Sequence, residues 1–262
     1  MTWLYPVGDI AQAVADAAIS EAIEFHGEYG ECDDITPLVT AVAKLGLPKA
    51  TSLCIHPEVD GAEYPLGDLR PLRAGLPSLE TLDARGVLER IAGMPTLREC
   101  RLWVTPLNDA ALADLESESW PMLESLIIEV DASPYPEGFS VSGDASRLHE
   151  LEWPQWRLPR LRAQQLPQLQ TLELCASHDA YVVLQHLLTE AELLARLDAL
   201  KITAGYISRR TAQLMLDHAE QLTGIEELDI DPHVGWAVDR EFADTVEQAL
   251  PNVMVSPNIG YG

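Results

Sequence analysis

Pro121-Met122-Leu123-Glu124-Ser125-Leu126-Ile127-Ile128 and Pro167-Gln168-Leu169-Gln170-Thr171-Leu172-Glu173-Leu174 carry one pattern, an L-x-x-L-x-L motif behind a proline, and that pattern decides the fold. Outward from these two segments it returns at Leu79/Leu82/Ala84, Leu97/Cys100/Leu102, Leu148/Leu151/Trp153, Leu197/Leu200/Ile202 and Ile225/Leu228/Ile230. Weaker copies stand at Ala50/Leu53/Ile55 and Leu250/Val253/Val255. Spacings of about 18 to 29 residues between copies predict a solenoid, in which each unit buries its apolar side only against its neighbours. In each motif the last two apolar positions alternate with polar ones. This is the period of a short strand with one face buried.

The chain of 262 residues carries 42 acids and 17 bases, a formal net charge of -25. Such a surface repels phosphates and anionic headgroups, so nucleic acid and membrane are not expected partners, and a basic protein is. No apolar run is long enough for a membrane span, and the Met1-Thr2-Trp3-Leu4-Tyr5-Pro6 start does not read as a secretory signal. Cys32, Cys54, Cys100 and Cys175 are scattered without a C-x-x-C spacing, which reads as reduced thiols in a cytoplasmic protein. Only Lys44, Lys49 and Lys201 supply lysine, a usage consistent with a GC-rich bacterial genome.

Residues 1–48 lack the repeat and are expected to form an N-terminal helical cap, with residues 49–262 as one continuous solenoid. In the cap, Asp9 starts a helical pattern through Ile10, Val14, Ala17, Ile19 and Ile23 toward Gly27. A second runs from Asp34 to Leu45 and closes at Gly46. Helices are expected to return the chain between strands. One is capped by Asn108 or Asp109, one runs from Tyr181 to Leu197, and two more follow caps at Ser208 and Asp239. The short step from Leu79 to Leu97 leaves room only for a turn. A Ser-, Pro- and Gly-rich stretch between Val130 and Arg147 reads as an exposed loop.

Over about residues 47 to 256 the chain resembles the leucine-rich repeat family, most plainly at Pro77-Ser78-Leu79-Glu80-Thr81-Leu82 and the two segments quoted first. Copies at repeat spacing, four of them two residues behind Pro77, Pro95, Pro121 and Pro167, carry the likeness. The resemblance implies an α/β fold with a curved parallel sheet on a concave face, helices and turns on a convex face, and protein recognition as its use. The chain departs from the family at the position that usually holds Asn or Cys, where Thr105, Ser177 and Gly205 stand.

The residues flanking the inward leucines then line the concave face: Cys54 and His56, Asp83 and Arg85, Arg101 and Trp103, Ile127 and Glu129. Beyond these follow Glu150 and Glu152, Glu173 and Cys175, Lys201 and Thr203, and finally Glu227, Asp229 and Asp231. The candidate partner-binding set is Asp83, Arg101, Trp103, Ile127, Glu129, Glu150, Glu152, Glu173, Glu227, Asp229 and Asp231: an apolar anchor bordered by acid. Stacked like charges on adjacent strands would be costly, and a basic partner would relieve them. The function expected is non-enzymatic protein binding without a cofactor, in a concrete version an immunity protein neutralising a basic toxin. The alternatives are a metal-dependent hydrolytic or accessory enzyme built on Asp229, Asp231 and His233, and a plain scaffold. His149-Glu150 and Gly138-Phe139-Ser140-Val141-Ser142 fall short of the zinc-protease and nucleophile-elbow motifs they suggest. The Arg147–Arg162 stretch with Trp153 and Trp156 is read as arginines paired with acids and indoles.

Overall fold

A computed structural model describes residues 21–27, 36–57, 65–104, 107–130, 158–175, 180–204, 207–232 and 240–254. The repeats become parallel strands: β1 (Ala22–Gly27), β2 (Ser52–Pro57), β4 (Thr81–Arg90), β5 (Glu99–Val104), β6 (Ser125–Val130), β7 (Thr171–Cys175), β8 (Ala199–Ala204), β9 (Glu227–Pro232) and β10 (Val253–Met254). They hydrogen-bond in chain order, and β3 (Pro65–Asp68) pairs with the second half of β4. Every pairing is parallel and in register with the repeat, so Leu82, Cys100, Leu126, Leu172, Leu200 and Leu228 form one row across the sheet. All six are buried.

A proline turn sets up β2, β4, β5, β6, β7 and β10, while Ala195 and Thr223 stand in the proline's place ahead of β8 and β9. The Leu79 N–H donates to the Leu76 carbonyl at 3.1 Å around Pro77, and Leu123 donates to Trp120 at 3.2 Å around Pro121. Leu97 to Met94, Leu169 to Leu166 and Val253 to Leu250 repeat the bond, around Pro95, Pro167 and Pro251. Proline suits the second position of such a turn because its ring already holds φ near the required value. Adjacent turns are also tied together. Thr96 Oγ1 donates to the Leu79 carbonyl at 2.7 Å, and Asn252 Nδ2 donates to the Ile225 carbonyl at 2.6 Å, each from the third position of its turn.

Helices return the chain at Thr36–Leu45, Asp109–Ser117, Tyr181–Thr189, Arg209–Asp217 and Arg240–Ala249, with single turns at Leu72–Gly75, Ala191–Leu194 and Ala219–Leu222. Two caps stand where the sequence puts them: Asn108 Oδ1 accepts the Ala111 N–H at 2.7 Å, and Ser208 Oγ accepts the Thr211 N–H at 3.1 Å. The first helix ends at Gly46, whose φ of 61° is a left-handed conformation that a side chain would oppose. Between Ile91 and Arg98 there is only a turn, as the short Leu79–Leu97 step requires. Leu112, Leu115, Leu184, Leu187, Met215 and Val246 of the helices join the strand leucines in one core. The opposite face of the sheet has no described element packed over it. Among the described residues no helix is long and apolar enough to cross a membrane.

Three expectations change. Residues 22–27 are strand rather than helix, so the sheet begins ahead of residue 49. The alternation Ala22-Ile23-Glu24-Phe25-His26 outweighs the helical spacing that ends in Ile23, because pairing with β2 satisfies its backbone. Secondly, β6 pairs directly with β7, Ser125 facing Thr171, where the sequence puts the copy at Leu148/Leu151/Trp153 between them; that copy lies outside the described residues. A strand has two edges, and both edges of β6 and of β7 are taken. Thirdly, the helix expected from Tyr181 to Leu197 breaks at Glu190, which leaves helical geometry at φ -102° and ψ 59°. There Glu190 Oε2 accepts the Ala163 N–H at 3.3 Å.

Candidate functional site

Side chains alternate across a strand, so the positions between the buried leucines belong to the uncovered face of the sheet. Register orders them into rows. The middle row runs Glu24, Cys54, Asp83, Arg101, Ile127, Glu173, Lys201, Asp229. The next row runs Arg85, Trp103, Glu129, Cys175, Thr203, Asp231. Glu99 and Glu227, both exposed, lie in the first row with Ser125 and Thr171 between them.

The expected residues thus come together on one face, with three exceptions. Glu150, Glu152 and His233 lie outside the described residues, as do Thr105, Ser177, Gly205, Trp153 and Trp156. Of the Asp229, Asp231 and His233 constellation, the backbone puts Asp229 and Asp231 on one face of β9, and only the Asp229 side chain is described.

The charge pattern differs from a stack of like charges. Asp83 neighbours Arg101, and Lys201 stands between Glu173 and Asp229, with Lys201 Nζ at 3.0 Å from Glu173 Oε1. Unlike charges on facing positions remove the repulsion that the sequence suggested. The Arg85 guanidinium lies over the Trp103 ring at 4.0 Å from its centroid, a cation–π contact that holds the indole in place. Trp103 and Ile127 are half-buried diagonal neighbours on β5 and β6. Glu99, Glu129 and Glu173 border this arginine–indole–isoleucine patch, and Glu227 and Asp229 farther along on β9 keep the face acidic on balance.

At the β2–β4 end lies a group that the sequence reading placed on the face without joining its members. The sulfur of Cys54, a ring nitrogen of His56 and a carboxylate oxygen of Asp83 all lie within 4.8 Å of one another. Cys54 and His56 share a face because they are two residues apart on β2, and Asp83 is the register partner of Cys54 on β4. His56 Nε2 and Asp83 Oδ1 are 2.8 Å apart. The hydrogen bond to Asp83, with a second to Cys54, pushes the imidazole up to about 10, so it is an imidazolium at neutral pH. A C-x-H step on one strand and an acid in register on the next was the available signal. It was missed because the residues come from different repeats.

Of the other cysteines, Cys100 is structural, Cys175 lies half-buried on the open face, and Cys32 lies outside the described residues. Cys100 occupies a leucine position, is buried, and has its thiol pushed up to about 12 by burial. Cys54, Cys100 and Cys175 are all free thiols.

No family model and no curated protein matches this chain. It is similar to a crystal structure of a Bacteroides fragilis protein, a target of the Northeast Structural Genomics Consortium. The TM-score is 0.68 at 19% identity, over 98% of this chain and 74% of that one. At that identity the likeness shows the fold alone: an α/β architecture with a parallel sheet and flanking helices.

Proposed function

We propose that the chain is a leucine-rich repeat solenoid with its leading residues as the cap, and that it binds a basic protein through the uncovered sheet face. The observation that carries this reading is the half-exposed Trp103–Ile127 patch, held by Arg85 and bordered by acids, on a face that no described element covers. A rigid aromatic anchor in an acidic surround is what a tight interface with a basic partner needs. The concrete version is a cytoplasmic inhibitor, such as an immunity protein, whose carboxylates occupy a site that a basic toxin reserves for phosphates.

The test is capture of a protein from the chain's own cells by the immobilised wild type and by face variants. Trp103→Ala, and Ile127→Asp combined with Glu173→Lys, are expected to weaken binding by roughly 30-fold or more, the scale of a hot-spot loss. Val182→Asp, at a helix residue 71% exposed, should bind as wild type. Retention by both face variants would rule out this face as the interface.

A further inference from the structure

We propose that Cys54, His56 and Asp83 bind a divalent transition-metal ion of the zinc class at the β2–β4 end of the open face. Three donors of different chemistry converge there from two adjacent strands, and their potential ligand atoms lie within 4.8 Å of one another. Thiolate, imidazole and carboxylate together suit zinc or cobalt, whereas calcium and magnesium take oxygen alone. Ligand bonds of about 2.0 to 2.3 Å in a tetrahedral site require ligand atoms roughly 3.3 to 3.7 Å apart. His56 Nε2 and Asp83 Oδ1, at 2.8 Å, need to part slightly, and the outermost pair needs to close by about an ångström or less. All three side chains are only partly buried, so a change of that size meets no packed wall.

A hydrogen-bonded histidine–aspartate pair alone would not call for a third donor. Cys54 provides one, and neither of the other described cysteines can pair with it. Cys100 belongs to the buried row of the sheet's opposite face, and Cys175 lies on β7, four strand spacings from β2. At about 4.8 Å per spacing, neither its position nor that of Cys100 allows a disulfide with Cys54. The ligating forms are neutral imidazole, thiolate and carboxylate, so binding displaces protons from the imidazole and the thiol to the buffer. Three protein ligands leave a fourth position open toward solvent, where water or a donor from another molecule completes the tetrahedron.

The inference does not depend on the partner-binding reading, because the Trp103–Ile127 patch is built without these three residues. The experiment is titration of the metal-free full-length chain with Co2+, followed by Zn2+. The expected result is tetrahedral visible absorption and a thiolate-to-cobalt charge-transfer band saturating at one ion per chain and erased by Zn2+. Cys54→Ser should remove the charge-transfer band, and Cys175→Ser should leave it. Loss of a mere supporting partner weakens metal sites by about 10- to 100-fold, so His56→Gln and Asp83→Asn should weaken binding by at least about 100-fold. Circular dichroism of the metal-free variants verifies that each one is folded. A spectrum of octahedral cobalt only, or a charge-transfer band that survives Cys54→Ser, overturns the proposal.

Discussion

Asp114 is the one buried carboxylate among the described residues, and it is fully engaged. Its carboxylate accepts Arg90 Nε at 2.6 Å, Arg90 Nη2 at 2.8 Å and the Ile91 N–H at 3.1 Å, tying the Asp109–Ser117 helix to the end of β4. The hydrogen bond from Arg90 holds its carboxyl below the usual carboxylate range. A depressed folded-state pKa means that the unfolded chain takes up the proton first. The stabilisation is therefore complete above the ordinary carboxylate value of 3.8 and is lost as pH falls through the lower folded value. Asp114→Asn should lower stability at neutral pH by about 1 to 3 kcal/mol, the smaller side being favoured because Arg90 is partly exposed. Denaturant melts at pH 7 and near pH 3 check this. A gap between variant and wild type that stays constant over that range would rule out the ionic account. Nothing in the local sequence Ala111-Leu112-Ala113-Asp114-Leu115 announces the partner, since Arg90 belongs to the previous repeat. Cys54, His56 and Asp83 were illegible together for the same reason, although each was correctly assigned to the open face.

Elements are legible where the chain states its own geometry. The Asn108 and Ser208 caps, the Gly46 stop and the period-two strands are all local, and they fold as read. One element was misread because tertiary pairing decides it: β1, whose backbone is satisfied by β2. How closely successive elements approach is likewise invisible in a single repeat. The turn after β4 meets the next turn backbone to backbone, and a Cβ built on Gly93 would stand 2.1 Å from the Ser119 carbonyl oxygen. Gly93 also donates its N–H to Glu118 Oε2 at 3.2 Å, so separating the turns breaks a hydrogen bond as well. Gly93→Ala should therefore destabilise by about 1 to 3 kcal/mol or more through overpacking alone. At about 2 to 4 °C per kcal/mol for a chain approaching this size, the midpoint should drop by several degrees. A thermal melt unchanged from wild type would mean that the turns can part freely.

At the scale of the whole molecule, a chain of net charge -25 carries facing unlike charges such as Glu173 and Lys201 on its sheet. These two facts act at different ranges. Facing pairs such as Glu173–Lys201 interact within a few ångströms, while the excess acid repels itself across the whole body and opposes compactness. Salt at about 0.1 M screens charges beyond roughly 10 Å, so it removes mainly the long-range repulsion and leaves the close pairs largely intact. The protein alone should therefore become more stable, its midpoint rising by a few degrees as ionic strength goes from about 0.01 M to about 0.2 M. Binding of a basic partner has the opposite sign. The same field that strains the free chain steers and holds a cation, and its screening should weaken the complex by about tenfold or more over that range. Thermal melts and binding isotherms in one salt series test both slopes. A midpoint that falls with salt would mean that local ion pairs dominate the fold, and an affinity indifferent to salt would remove the acidic face from the recognition of its partner.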